Sequence, residues 1–166
     1  PTWLPETLGQ FPEANPALLE ERALLKRVDT KFILDSNALH QVLGQVKGGY
    51  ALLTAEGASA AQYKTLYFDT RNYDCLREHH RGRRPRHKIR IRHYLDRKLS
   101  FLEIKNKTNA DQTIKARQQI PFLQEEIGPA QREFINAHNP IPAHRLNPSL
   151  RTDFRRITLV GLETME

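Results

Sequence analysis

The chain has 166 residues and a formal net charge of +7, with a sequence pI near 9.8. Its length suits one domain with its own core and also allows two small domains. No apolar stretch approaches the roughly 20 residues that span a bilayer. A single cysteine, Cys75, excludes an internal disulfide and favours a reducing, cytoplasmic compartment. The positive charge implies either an anionic partner or good solubility alone.

This charge is concentrated in one part of the chain. Between Arg81 and Arg117 there are 13 Lys and Arg residues and three acidic residues, which gives that segment a charge of +10. The other 13 basic residues are outnumbered by 16 acidic residues, so the remainder carries −3. The basic character is therefore a property of one segment.

The first residues, 1–15, contain several prolines and no clear period, which predicts an irregular arm. Asn15 and Pro16 have the typical order of an N-cap and a first helical residue. Residues 27–34 are predicted to form a strand, and Ser36 to cap an amphipathic helix that ends at Gly48. We therefore expect an arm and the start of a helix over residues 1–22, followed by one domain over residues 23–166.

Strand patterns follow in quick succession over residues 63–69, 88–95, 99–105 and 113–120. Residues 96–98 would make a tight hairpin between the second and third strands. A helix is predicted from Pro129, and a last strand over residues 150–160. Because short connections favour antiparallel pairing, the predicted class is α+β.

Successive residues of a strand point to opposite faces of its sheet, and basic residues here alternate with apolar ones. Isoleucines such as Ile89 and Ile91 fall on one face. The other face collects Lys88, Arg90, Arg92, Lys105, Lys115 and Arg117, with Glu103 as its acidic member. Arg27, Asp29 and Lys31 share a face of the earlier strand in the same way.

A polar sheet face can simply be solvated, and for any one strand that is the more common explanation. Cross-strand neighbours on one face lie about 5 Å apart, however, and like charges there repel. Because three neighbouring strands carry the same sign of charge on this face, we predict that an anion binds there and neutralises the charge. Arginine binds phosphate oxygens through a planar fork, and lysine adds point charges.

Several short motifs, in order, resemble the VTC domain, the polyphosphate polymerase module of the vacuolar transporter chaperone complex, which has bacterial relatives. They are Arg27-x-Asp-x-Lys-Phe, Tyr63-x-Thr-Leu-Tyr-Phe-Asp-Thr, Arg86-x-Lys-Ile-Arg-Ile-Arg-x-Tyr, Phe101-Leu-Glu-Ile-Lys-Asn-Lys and Lys115-x-Arg. The resemblance implies membership of the CYTH-like triphosphate tunnel superfamily. Its fold is an antiparallel β-barrel with a charged interior and flanking helices.

The resemblance also implies the function of individual residues. Lys31, Arg90, Arg92 and Lys105 would be catalytic, and the substrate phosphates would be bound by Lys31, Lys88, Arg90, Arg92, Lys105, Lys115 and Arg117. The implied reaction moves the γ-phosphoryl group of ATP to a growing polyphosphate chain with Mn²⁺ or Mg²⁺. Glu103 is the candidate metal ligand, although it is equally suited to pair with a neighbouring cation.

Two alternatives remain open: a triphosphatase or polyphosphatase of the same fold, and a non-catalytic module for polyphosphate or nucleic acid. Nucleic acid is the less favoured ligand. The resemblance further implies more strands after residues 151–156, so we expect a barrel that is incomplete at its C-terminus. A membrane-protein partner at the cytoplasmic face of a membrane is compatible with this family.

Two features fall outside the resemblance. His79 and His80 are predicted to lie in a solvated loop, since no further metal ligands accompany them. The arginine-rich segment that follows, residues 81–86, would attract polyanions or an anionic surface.

Overall fold

A computed structural model describes residues 1–23, 30–109 and 112–163. The chain divides into two compact units, one made of Pro1–Ala61 with Arg156–Glu166 and the other of Gln62–Arg155. Each unit has its own buried apolar cluster.

The first unit is mainly helical. It contains α1 (Leu4–Leu8), α2 (Pro16–Ala23), α3 (Ser36–Val46) and a two-stranded antiparallel sheet of β1 (Tyr50–Leu52) and β7 (Leu159–Gly161). Leu8, Phe11, Leu43 and Leu52 form its buried cluster. The apolar residues of α3 reach this cluster because they recur at helical spacing.

The predicted helix starts are close to those observed. The Asn15 side chain accepts a hydrogen bond from the Leu18 N–H at 2.8 Å, which confirms it as the cap of α2. The cap of α3 is Asp35, whose Oδ1 accepts from the Ala38 N–H at 2.8 Å, and Ser36 is the first helical residue. Either residue suits an N-cap chemically, and the prediction was wrong by one position.

Three other local predictions differ from the structure. Residues 4–8 of the expected irregular arm are helical, as α1. Residues 30–34 of the expected strand are in no strand, with Ile33 fully exposed, and residues 27–29 lie outside the described ranges. The last predicted strand is two strands, because residues 157 and 158 interrupt it.

The second unit is built on a five-stranded sheet with the order β5-β4-β3-β2-β6. Its strands are β2 (Ala61–Asp69), β3 (Arg86–Tyr94), β4 (Leu99–Lys107), β5 (Thr113–Ile120) and β6 (Asn147–Arg156). β2, β3, β4 and β5 pair antiparallel with their neighbours in this series. The hairpin between β3 and β4 turns at Lys98, where φ is +50°.

Helices cover the apolar face of this sheet. They are α4 (Asp74–His80), α5 (Pro129–His138) and a short 3₁₀ helix (Ala143–Arg145). Ile89, Ile91, Leu102 and Ile104 are at most 1% exposed and pack in one cluster with residues of all three helices. This burial fixes which face of each strand is left for polar side chains.

A buried carboxylate fixes the start of α4. The Asp69 side chain accepts hydrogen bonds from the N–H groups of Cys75 and Leu76, both at 3.0 Å. His79 and His80 are the last two residues of this helix, so their predicted loop was wrong. The helix has only two apolar residues, Cys75 and Leu76, which give little helical period. Its contacts with Asp69 span six and seven residues, beyond the reach of a capping pattern.

The mixed α+β class with antiparallel sheets is confirmed. The sheet order leaves β5 and β6 at the two edges, and the barrel, expected to be incomplete at its C-terminus, stays a prediction. Among the helices in the described ranges, none combines the length and apolar character required to cross a bilayer.

Candidate anion-binding site

The strand register brings the predicted basic residues together on one face of the five-stranded sheet, which we call the cationic face. Lys88 lies opposite Lys105, and Lys105 lies opposite Lys115, across three adjacent strands. One step along the strands, Arg90 lies opposite Glu103, and Glu103 opposite Arg117. One step further, Arg92 lies opposite Phe101.

Lys88, Lys105 and Lys115 form a row across the sheet, the lysine row. Directly opposed residues on one face have Cβ atoms about 5 Å apart, so three like charges repel each other here. Burial together with the charges of Lys115 and Lys88 lowers the pKa of Lys105 below its usual value. This lowered pKa means that the positive charge is disfavoured in the free protein and that an anion would stabilise it.

Glu103 anchors the neighbouring row. Its Oε2 accepts from Arg90 Nε at 2.7 Å and lies 2.7 Å from Nη2 of the same guanidinium. Its Oε1 accepts from the Tyr94 hydroxyl at 2.9 Å. The Tyr67 hydroxyl accepts from Arg90 Nη1 at 3.3 Å, so the guanidinium is held from two sides.

The electrostatics of this row follow from the same contacts. Burial alone would lower the pKa of Arg90, but the Glu103 carboxylate and the Tyr67 hydroxyl raise it above the usual value. Burial, followed by the Glu103 charge, raises the pKa of Tyr94, so its hydroxyl stays protonated and donates to that carboxylate. Arg90 is thus a permanently charged group in a fixed orientation.

Arg92 is positioned by β2 and β6. Its Nε donates to Thr65 Oγ1 at 3.2 Å, and Thr65 is buried. The guanidinium carbon lies 5.5 Å from the ring centre of Tyr63 and 5.6 Å from that of Phe154. These two rings stack on each other with centres 5.2 Å apart. Contacts of this kind hold a cation over a ring face.

Arg117 is positioned by aromatic rings as well. Its guanidinium carbon lies 3.3 Å from the ring centre of Phe101 and 5.6 Å from that of Tyr94. A planar guanidinium that stacks on aromatic faces is held in place and keeps its charge, because the rings do not neutralise it. Arg90, Arg92 and Arg117 are therefore all restrained before any ligand binds.

The residues of β2 that restrain these arginines were missed as site residues. Tyr63, Thr65 and Tyr67 alternate along β2 and lie opposite Tyr94, Arg92 and Arg90. The sequence carried a signal, because the same two-residue period places them on the cationic face once the pairing of β2 with β3 is assumed. Their contribution is to orient the charged groups.

Lys31 is the one predicted site residue of the described ranges that lies outside this sheet. It belongs to the first compact unit, is exposed and is in no strand. Arg27 and Asp29 of the same motif lie outside the described residues. The other predicted phosphate-binding residues share the cationic face.

Mn²⁺ and Mg²⁺ prefer oxygen ligands, so the contacts of the two Glu103 carboxylate oxygens bear on its predicted role as a metal ligand. Both of its carboxylate oxygens already accept hydrogen bonds, from Arg90 and Tyr94. In residues 1–23, 30–109 and 112–163, no group of three or more His, Cys, Asp or Glu side chains is arranged to hold a metal ion. The contacts of Glu103 match the ion-pair alternative, and its metal ligation stays a prediction.

Cys75 has no features of a nucleophile. It is buried, and burial together with the Asp69 charge raises its pKa to about 12. The thiolate is the reactive form of cysteine, and it is not populated at neutral pH with such a pKa.

Taken together, the fold and site define a mixed α+β domain that presents a row of lysines and three restrained arginines on one sheet face. A comparison with protein-family models matches residues 26–165 to the VTC domain. The chain belongs to the VTC domain family, which is linked to polyphosphate. A search of curated proteins found no match.

Glu103→Gln should destabilise the protein, because the Arg90 guanidinium loses the carboxylate that neutralises it. Hydrogen bonds to charged groups contribute about 1.5–3 kcal/mol, and we expect a loss of that order in the free energy of unfolding. Urea denaturation measures it. Glu126→Gln, at an exposed position, is the matched control and should change stability little.

Inorganic triphosphate should restore part of the stability that Glu103→Gln loses, since it replaces the missing negative charge. Equal stability of the Glu103→Gln and Glu126→Gln variants would contradict the anchoring role of Glu103.

Proposed function

We propose that the cationic face binds triphosphate or polyphosphate, and that the protein transfers the γ-phosphoryl group of ATP to polyphosphate. The lysine row carries this proposal, because three directly opposed like charges repel one another and an anion would neutralise them. The VTC family membership supports phosphate chains as that anion.

The geometry suits phosphoryl transfer. The transition state of this reaction spreads charge over the phosphoryl oxygens, and catalysis consists mainly of positioning and charge neutralisation. Arg90 and Arg92, restrained by Glu103 and Thr65, would bind the transferred group without further reorganisation. Lys88, Lys105 and Lys115 would neutralise the adjoining phosphates. Lys31 is proposed to join them.

Mn²⁺ or Mg²⁺ would neutralise the negative charge that develops on the phosphoryl group, as divalent cations do in such sites. The residues present would leave most of its coordination to the substrate, with Glu103 as the candidate protein ligand. We also propose that the sheet forms one wall of a barrel that is incomplete at its C-terminus and has the tunnel architecture of the CYTH-like superfamily.

A second candidate function is binding without catalysis. One observation favours it: both Glu103 oxygens are engaged by protein groups, so the acidic residue of the cationic face has no oxygen committed to a metal. Hydrolysis of triphosphate or polyphosphate, with water as acceptor, is a third possibility that uses the same positioned cations.

Incubation with ATP and Mn²⁺ separates these functions, with phosphate release and polyphosphate chain growth followed together. The polymerase predicts chain growth that requires ATP. Phosphate release without growth would establish a hydrolase. If neither occurs while triphosphate still binds, the protein is a binding module.

Arg92→Ala should weaken triphosphate binding at least tenfold, because it removes a guanidinium held on the cationic face. Arg97→Ala, in the exposed hairpin turn, removes the same charge and should change the affinity less than twofold. Isothermal titration calorimetry at fixed ionic strength measures both. Equal losses would mean that only bulk charge matters.

Binding should also depend on pH through Lys105. Because its pKa is lowered in the free protein, Lys105 loses its proton at a lower pH than an ordinary lysine, whose pKa is about 10.4. Bound triphosphate raises that pKa, so binding takes up a proton and weakens as the pH rises through the lowered value. Lys105→Arg should bind with a flatter alkaline profile, since arginine stays charged.

Calorimetry in buffers of different ionisation enthalpy measures the proton uptake. The ligand's own proton changes are common to both proteins and cancel in the comparison. Identical uptake by the wild type and Lys105→Arg would contradict this assignment.

A further inference from the structure

A second cluster of arginines lines a cleft beside the C-terminal end of α4. The cleft has a volume of about 360 Å³, within the range of about 300–1,000 Å³ typical of small-ligand pockets. Its charged lining consists of Arg77, Arg81, Arg83 and Arg145 with Asp74 and Glu78.

The end of α4 brings three of these arginines together. Arg77 and Arg81 are four residues apart and share one face of the helix. Gly82 follows with φ at +66°, and its N–H donates to His79 O at 3.2 Å, while the Arg83 N–H donates to Glu78 O at 3.0 Å. This pair of hydrogen bonds is a Schellman motif, which turns the chain back against the helix end.

Arg145 approaches from the 3₁₀ helix. Its Nη2 lies 3.9 Å from Asp74 Oδ2, with 56% of the arginine side chain exposed. An exposed pair at that distance contributes little to stability, so the Arg145 guanidinium can also bind a ligand. Asp74 Oδ2 also accepts from the Thr70 hydroxyl at 2.7 Å.

The charge of the cleft remains positive when its acids are included. Four arginines and two carboxylates leave an excess of +2, and like charges at positions 77 and 81 are mutually destabilising. Guanidinium groups recognise phosphate through paired N–H donors. The cleft therefore suits a small ligand with several negative charges.

The cleft is separate from the cationic face. Cys75 of α4 and Ala143 of the 3₁₀ helix pack in the same buried cluster as Ile89, on the apolar face of the sheet. Both elements that line the cleft thus cover the side of the sheet opposite the lysine row. A ligand in the cleft would not be part of a ligand on that row.

We propose that this cleft is a second phosphate-binding site, for a short inorganic phosphate chain or the phosphate groups of a nucleotide. The protein would then hold phosphate compounds at two places, one on each side of its central sheet.

Calorimetric titration of the full chain with inorganic triphosphate tests the proposal. We expect two equivalents per wild-type chain. Arg77→Ala/Arg145→Ala should bind one equivalent, whose affinity changes less than twofold. Arg97→Ala/Arg132→Ala removes the same charge from exposed positions elsewhere and should keep both equivalents. Circular dichroism and urea denaturation confirm that each variant is folded.

Wild-type stoichiometry in the Arg77→Ala/Arg145→Ala variant would overturn the second site, as would an equal loss in the control. If the cationic face fails to bind, the wild type will show one equivalent that Arg77→Ala/Arg145→Ala abolishes. That result would support the cleft and refute the proposed function. Repeating the titration with ATP identifies the source of the phosphates, since an inorganic ligand alone would leave ATP unbound in the cleft.

Discussion

The cationic face depends on the burial of its opposite side. Ile89, Ile91, Leu102 and Ile104 are almost completely removed from water, and each buried side chain of this size contributes about 1.5–3 kcal/mol. A slip of one residue in register would move these isoleucines and leucine to the exposed face and the basic residues into the core. The hydrophobic core thereby holds the three lysines opposite one another although their charges repel. Lysines on flexible loops would instead move apart.

Within that constraint, the arginines of the cationic face are held by two different kinds of contact. Arg92 and Arg117 rest on aromatic rings, which stabilise a cation without neutralising it. Arg90 is paired with Glu103, which removes one unit of charge from the middle of the face. In the described part of the chain, the charged neighbours that act on Lys105 in the lysine row are all cations. The strongest demand for an anion is consequently at this row.

Much of this site was predictable from the sequence, because the alternation of side chains along a strand and the pairing within a hairpin both depend on residues that are close in sequence. β5 begins and ends where the sequence indicated, and the β3–β4 hairpin turns where expected, so the lysine row follows from counting residues. The aromatic and hydroxyl supports on β2 required knowledge of which strand pairs with β3. The arginine cleft was not predictable, because it joins α4 to a 3₁₀ helix about 65 residues away through tertiary packing.

The lysine row exists only when the sheet is folded, so a ligand that binds this row would also stabilise the folded state. A ligand that binds only the folded chain stabilises it by about 2.7 kcal/mol at a concentration of 100 times its Kd. An anion on the lysine row would relieve the repulsion between its like charges, and that relief would add to the binding free energy. Glu103 neutralises Arg90 in the adjacent row, and across β3, β4 and β5 the lysines lie directly opposite one another with no carboxylate between them. The placement of this carboxylate would thus stabilise the free sheet without reducing the attraction of the lysine row for an anion.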